Sequence, residues 1–193
     1  MSTIETIASF IPTVQGPTEK HLGFNKKMKW TFAILLIFFA LGAIPLWGLD
    51  PASQFQFAQL ELILGASFGS IISLGIGPIV TASIVLQLLK GSGILPMDTH
   101  TEKGKRKFQA LQKISSIFFV VFTALVYVFM GGLTPPADST SYGALQLGLV
   151  LQLAIGGFLI MLMDEVISKW GFGSGIGLFI VAGVGKEVVV RAF

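Results

Sequence analysis

Apolar residues run along this chain in long uncharged stretches, and those stretches set the expected elements. Residues 30–49, 114–133 and 144–163 contain no Asp, Glu, Lys or Arg, and each is about the 20 residues that a helix needs to cross a hydrocarbon core. From Leu60 to Leu89 the one charge is Glu61, but a straight helix of that length measures about 45 Å at a rise of about 1.5 Å per residue. A hydrocarbon core is only about 30 Å thick. Gly75, Gly77 and Pro78 lie in the middle of this run, where two flexible residues and a proline without an N–H break a helix. The stretch reads either as two half-helices, over 58–73 and 74–89, or as one tilted span with a proline kink. Broken backbone at membrane depth survives when it is buried in protein or lines a wet cavity, so the first reading points to a pathway through the membrane. A last, shorter apolar run begins at Ile176 and gives a helix over 176–192.

Composition agrees with this pattern. With 53% hydrophobic residues and 12% charged, the chain carries more apolar surface than a water-soluble domain of this size hides. The expected class is an all-α membrane protein of five transmembrane segments whose second element is broken. Cysteine is absent, which excludes disulfides and thiolate metal sites. No cleavage site follows the first apolar run, where Asp50 and Pro51 stand, so a removable signal peptide is not expected.

The placement of charge sets an orientation. Residues 1–29 combine a short apolar face of Ile4, Ile7, Ala8 and Ile11 with Lys20, Lys26, Lys27 and Lys29, while 90–113 hold Lys90, Lys103, Lys105, Arg106, Lys107 and Lys113. Residues 50–59 and 134–143 hold no Lys or Arg. The positive-inside rule puts the basic segments and the N-terminus in the cytoplasm and the other two loops outside. Residues 58–73 then dip in from outside. Gly65, Ala66, Ser67, Gly69, Ser70 and Ser73 make this piece small-sided, either for close packing through Gly65 and Gly69 or for movement.

Few residues invite chemistry. Asp164 and Glu165 are expected to end the fourth span at a solvated interface, with Lys169 placed to pair with Glu165 if the helix continues. Glycines at 171, 173, 175 and 177 form a turn that can approach a ligand, but no Walker lysine and no strand precede it. Gly173, Ser174 and Gly175 superficially suggest a serine nucleophile, yet His21 and His100 lie in polar segments away from any span, which leaves no base. A secondary transporter is the alternative that broken helices allow, with Glu61 as its one embedded charge. A purely structural membrane subunit is a third.

Two stretches, LGIGPIVTASIVLQLLKGSG over Leu74–Gly93 and MDEVISKWGFGSGIGLFI over Met163–Ile180, resemble the SecY family of Sec translocase channel subunits, in its archaeal and eukaryotic branch. The resemblance extends over the whole chain, taking 30–193 as the first five helices of a ten-helix inverted-repeat pattern. It implies a protein-conducting channel that passes secretory proteins across the membrane and releases membrane proteins sideways, not an enzyme, with no catalytic residue, cofactor or metal. It further implies that Leu62, Gly65, Ser67, Gly69 and Ser70 belong to a plug, and that Ile76 and Val80 with Ile176 and Ile180 form a pore ring. Each of these pairs is spaced i to i+4 and so shares one helix face; isoleucines at such spacing also serve in cores or against lipid. The second and third helices are implied to form a wall of the lateral gate. The implied partners are polypeptides with signal sequences, small SecE-like and Sec-beta-like subunits, the ribosome and membrane lipid, with no specific nucleic-acid site in this half.

The orientation is testable because native cysteine is absent. Single cysteines replacing Ser53 and Ser139 are expected to react with an impermeant thiol reagent in intact cells, and one replacing Thr101 to be protected. Labelling at 101 with protection at 139 contradicts the topology.

Overall fold

The computed structural model describes residues 12, 14–16, 23–50, 69–94, 101–136 and 141–192. Five helices order them: α1 (Phe24–Gly42), α2 (Gly77–Gly91), α3 (Glu102–Phe129), α4 (Tyr142–Trp170) and α5 (Gly175–Ala192). The all-α class is therefore the one expected. Among the described residues, extended backbone pairs at an isolated bridge between Pro45 and Ser70.

The helix limits differ from the uncharged runs in a consistent way. α1 takes in Lys26, Lys27 and Lys29 and stops at Gly42 instead of reaching residue 49. Pro45, which can neither donate nor fit an α-helical interior, follows three residues later. α3 starts well before residue 114, where the Thr101 hydroxyl accepts the Gly104 N–H at 3.2 Å as an N-cap. α4 does not end at Asp164 and Glu165 but continues to Trp170. The reason is electrostatic. Glu165 accepts from Lys113 and from Lys169, each at 2.7 Å, with its side chain only 12% exposed, so partners and not a solvated helix end carry its charge. Lys169 also donates to the Val14 carbonyl, and the Trp170 indole N–H donates to the Gln15 carbonyl at 2.9 Å.

By length and composition, two of the described helices are long and apolar enough to cross a membrane: α3 from Lys107 to Phe129, and α4. α2 has 15 residues, about 22 Å at the helical rise, and is too short to cross alone. The apolar part of α5, Gly175–Lys186, is likewise short.

α4 is the centre of the packing, lying against α1, α3 and α5, while α2 packs on α3. One buried cluster joins Ile34 and Phe38 of α1, Ile79 of α2, Val120 of α3, Ile160 and Ile167 of α4 and Phe179 of α5. A second joins Leu46 and Leu49 beyond α1 to Leu74, Ala124, Val128, Leu149 and Leu153. Polar groups inside are paired: Gln112 Nε2 donates to Ser83 Oγ at 2.7 Å across α2 and α3. Among the described residues no buried side-chain nitrogen or oxygen lacks a partner, as a bilayer requires. The outward faces are apolar, including Phe118 and Phe129 of α3 and Leu147, Leu151 and Ile155 of α4.

The closest approach of backbone to α4 is at Gly156, where an added Cβ would lie 1.8 Å from the Ile71 carbonyl oxygen. Such a clash on main chain costs about 1–3 kcal/mol or more. That outweighs the helix propensity of about 1 kcal/mol that Gly-to-Ala brings. Gly156→Ala should lower the melting temperature of the complete protein in detergent, whereas Gly148→Ala, with nothing within 4 Å of its added Cβ, should leave it unchanged or raise it. A Gly156→Ala protein as stable as the parent contradicts the packing.

Candidate functional site

The break before α2 is built from hydrogen bonds to the chain that leaves α1. Leu46 N–H donates to the Gly69 carbonyl at 2.7 Å and Ile71 N–H to the Ile44 carbonyl at 3.1 Å. The Ser73 hydroxyl donates to the Ser70 carbonyl at 2.5 Å, and Ser70, Ile72, Ser73 and Leu74 are all buried. Residues 69–76 thus form a pinned turn, not the end of a half-helix over 58–73. Gly75, at φ +56°, takes the left-handed conformation that glycine tolerates and turns the chain into α2, which Pro78 opens at a position where its missing N–H costs nothing. Outside the turn, Gln152 of α4 acts as a backbone mimic. Its Oε1 accepts from Trp47 N–H at 3.0 Å and its Nε2 donates to the Trp47 carbonyl at 3.2 Å, which satisfies the segment past α1 where helix hydrogen bonds have ended.

This turn, the start of α2, and one face of α3 enclose an open cavity of about 600 Å³ that Ile180 of α5 completes. Ile76, Val80 and Ile180 all line it, together with Thr81, Phe122, Thr123 and Tyr127. Ile176 does not line it. Like Ile76, it is partly buried against the cluster that contains Phe38 and Phe179. Three of the four residues marked by the resemblance therefore share one space, and the fourth packs beside it. Of the residues assigned to the plug, Leu62, Gly65 and Ser67 lie outside the described residues, as does Glu61. Gly69 and Ser70 sit in the pinned turn, and close contacts through glycine are made at Gly156 and Gly157 of α4.

Ile176 is also where α5 is anchored, since its N–H donates to Asp164 Oδ1 at 3.0 Å. The turn between α4 and α5 is tied to α1 as well: Phe172 N–H donates to Thr31 Oγ1 at 3.2 Å, and the Phe24 and Phe172 rings lie 5.1 Å apart. The glycine-rich turn is thus occupied by packing against this chain. Ser174 is exposed within it, and among the described residues no group of His, Cys, Asp and Glu is arranged to hold a metal. What the geometry offers is a water-accessible space with aliphatic and aromatic walls beside a break in the backbone. Sequence reasoning missed Gln152, Gly156 and Thr31; a glutamine and a glycine pair inside an uncharged run are the signals that mark the first two.

The comparisons agree with the geometry. Residues 70–193 match the family model described as SecY, and residues 36–69 match the model described as the plug domain of Sec61p. The chain is 49% identical over 189 residues to the protein translocase subunit SecY of Methanothermobacter thermautotrophicus, an alignment that takes in 98% of this chain and 40% of that protein. It superposes on a solved protein-conducting channel with a TM-score of 0.84 and 35% identity, covering 100% of this chain and 43% of that one. The Sec61 of a canine ribosome-channel complex from the endoplasmic reticulum gives the same TM-score of 0.84 at 35% identity, with 43% of it covered. The chain spans about 40% of the length of the curated relative it matches. With one family model covering residues 70–193, well over half of its length, this chain belongs to the SecY family.

Proposed function

We propose that this chain supplies half of a protein-conducting channel in the cell membrane, passing secretory polypeptides across and releasing membrane-bound ones sideways into lipid. The observation that carries the reading is the cavity at the break, with Ile76 and Val80 on one side and Ile180 on the other. α2, too short to cross the bilayer alone, and the first turns of α5 both border that space. Branched apolar side chains facing each other across a wet space exclude ions by dewetting and yield to a passing chain. Ile176, packed like Ile76 against the same buried cluster, is the fourth residue of the constriction. We assign the plug to residues 58–73, of which the described end, residues 69–73, lies in the pinned turn.

The remaining assignments follow from the same reading. α1, α3 and α4 are the full walls, with the N-terminus and the basic start of α3 in the cytoplasm. α2 and α3, packed on one another, form a wall of the lateral gate. The missing wall comes from a second half of the kind that the longer relatives contain, joined by small SecE-like and Sec-beta-like subunits. The ribosome is the cytoplasmic partner, as it is for the canine Sec61 complex. The relatives are named as translocase subunits and channels, which gives no support to a solute transporter.

Ion current through planar bilayers tests the constriction. In the complete channel, replacing Ile76, Val80, Ile176 and Ile180 together by Asn should raise the resting current by on the order of tenfold or more, because polar side chains wet the gap. Asn at Leu147, Leu151 and Ile155, which are exposed on the outer face of α4, should disturb insertion or stability without conductance. A ring variant that assembles and stays as tight as the parent contradicts the proposal.

A further inference from the structure

Asp164 belongs to α4, yet its carboxylate serves the next helix. Oδ1 accepts the Ile176 N–H at 3.0 Å, and a Cβ added to Gly175 would lie 2.6 Å from the same oxygen and 2.7 Å from Asp164 Cα. The first observation is a bond and the second is an approach that only glycine permits. Together they set the first turn of α5 hard against α4. The opening N–H groups of a helix have no partner within it, and at a membrane they need one. Here a carboxylate from a neighbouring helix does the work of an N-cap side chain, with the further attraction of negative charge for the positive end of the helix.

The residue held in this way is Ile176 itself. One turn further on, Phe179 is buried and stacked on Phe38 with ring centroids 4.8 Å apart. α5 is therefore fixed at two successive points of one face, and Ile180, adjacent to Phe179, is left on the cavity. We propose that Asp164 is a positioning residue of the constriction: by capping α5 from α4 it sets the level at which Ile176 and Ile180 meet Ile76 and Val80. This rests on the reading of those four residues as the constriction. A dewetted seal depends on the width of its gap, so fraying or slippage of the first turn of α5 opens it without removing any side chain that lines it.

The test uses the complete channel in planar bilayers, with the four-residue Asn variant measured in the same series. Asp164→Leu, similar in size but without an acceptor, should raise the resting ion current by about 3- to 30-fold, the population shift that loss of a cap produces. Asp164→Asn keeps Oδ1 and should stay close to the parent. A leak in Asp164→Asn as large as in Asp164→Leu contradicts the role of the acceptor. If the ring variant leaks while Asp164→Leu assembles and stays tight, the positioning role is overturned and the constriction stands. If both stay tight, the constriction reading has failed and takes this inference with it. Should Asp164→Leu not assemble, Gly175→Ala, which keeps the cap and forces the contact apart, is read in its place, and a leak there supports the role. Tightness overturns it, as does failure of both variants to assemble, since the contact would then hold the fold and not the constriction.

Discussion

A membrane leaves no backbone N–H or carbonyl without a partner, and the 15-residue α2 can neither cross the bilayer nor begin at its surface. The chain reaches it through residues 69–76, which are not helical, so every polar group in that turn has to find a partner inside the protein. The solution is local. Gly69 and Ile71 bond to the chain just past α1, Ser73 bonds back to Ser70, and Gln152 serves Trp47 in the same region. The backbone at Ile71 fits against α4 only because residue 156 is glycine. The break is thus tied to the chain past α1 and fitted against α4, and a cavity opens beside it.

That space is bordered by walls of different character. α5 is tied to α4 through Asp164 and to α1 through the Phe38–Phe179 stack, and the turn before it is held by Thr31. α2 instead packs on α3, joined to it by the Gln112–Ser83 hydrogen bond. Val80 of α2 and Ile180 of α5 both line the cavity. The two helices also share one buried cluster, through Ile79 of α2 and Phe179 of α5.

Much of this was legible in the residues, and the exceptions share a cause. Uncharged runs and the Gly75–Pro78 break marked where helices lie and where one fails, because burial in lipid acts on composition directly. The helix ends were misplaced where tertiary partners override local signals: Asp164 and Glu165 look like a solvated terminus until Lys113, distant in sequence, supplies a counter-charge and α5 supplies an N–H. The i to i+4 spacing of Ile176 and Ile180 placed both on one face, yet that face straddles the core and the cavity, so one packs and the other lines the space. Periodicity carries no information about where such a boundary falls. The close contacts of Gly156 with Ile71 and of Gly157 with Val120 were not foreseen, because what a small residue touches depends on the neighbouring element.

In the proposed channel, a translocating polypeptide would pass between α2 and α5. Photo-crosslinking residues placed at Val80, Ile180, Leu151 and Ile155 in the complete channel, loaded with a stalled secretory chain, address it directly. The account predicts adducts to the secretory chain from Val80 and Ile180 and none from Leu151 and Ile155, which face outward from α4. Adducts from the α4 positions, with Val80 and Ile180 silent, would contradict it.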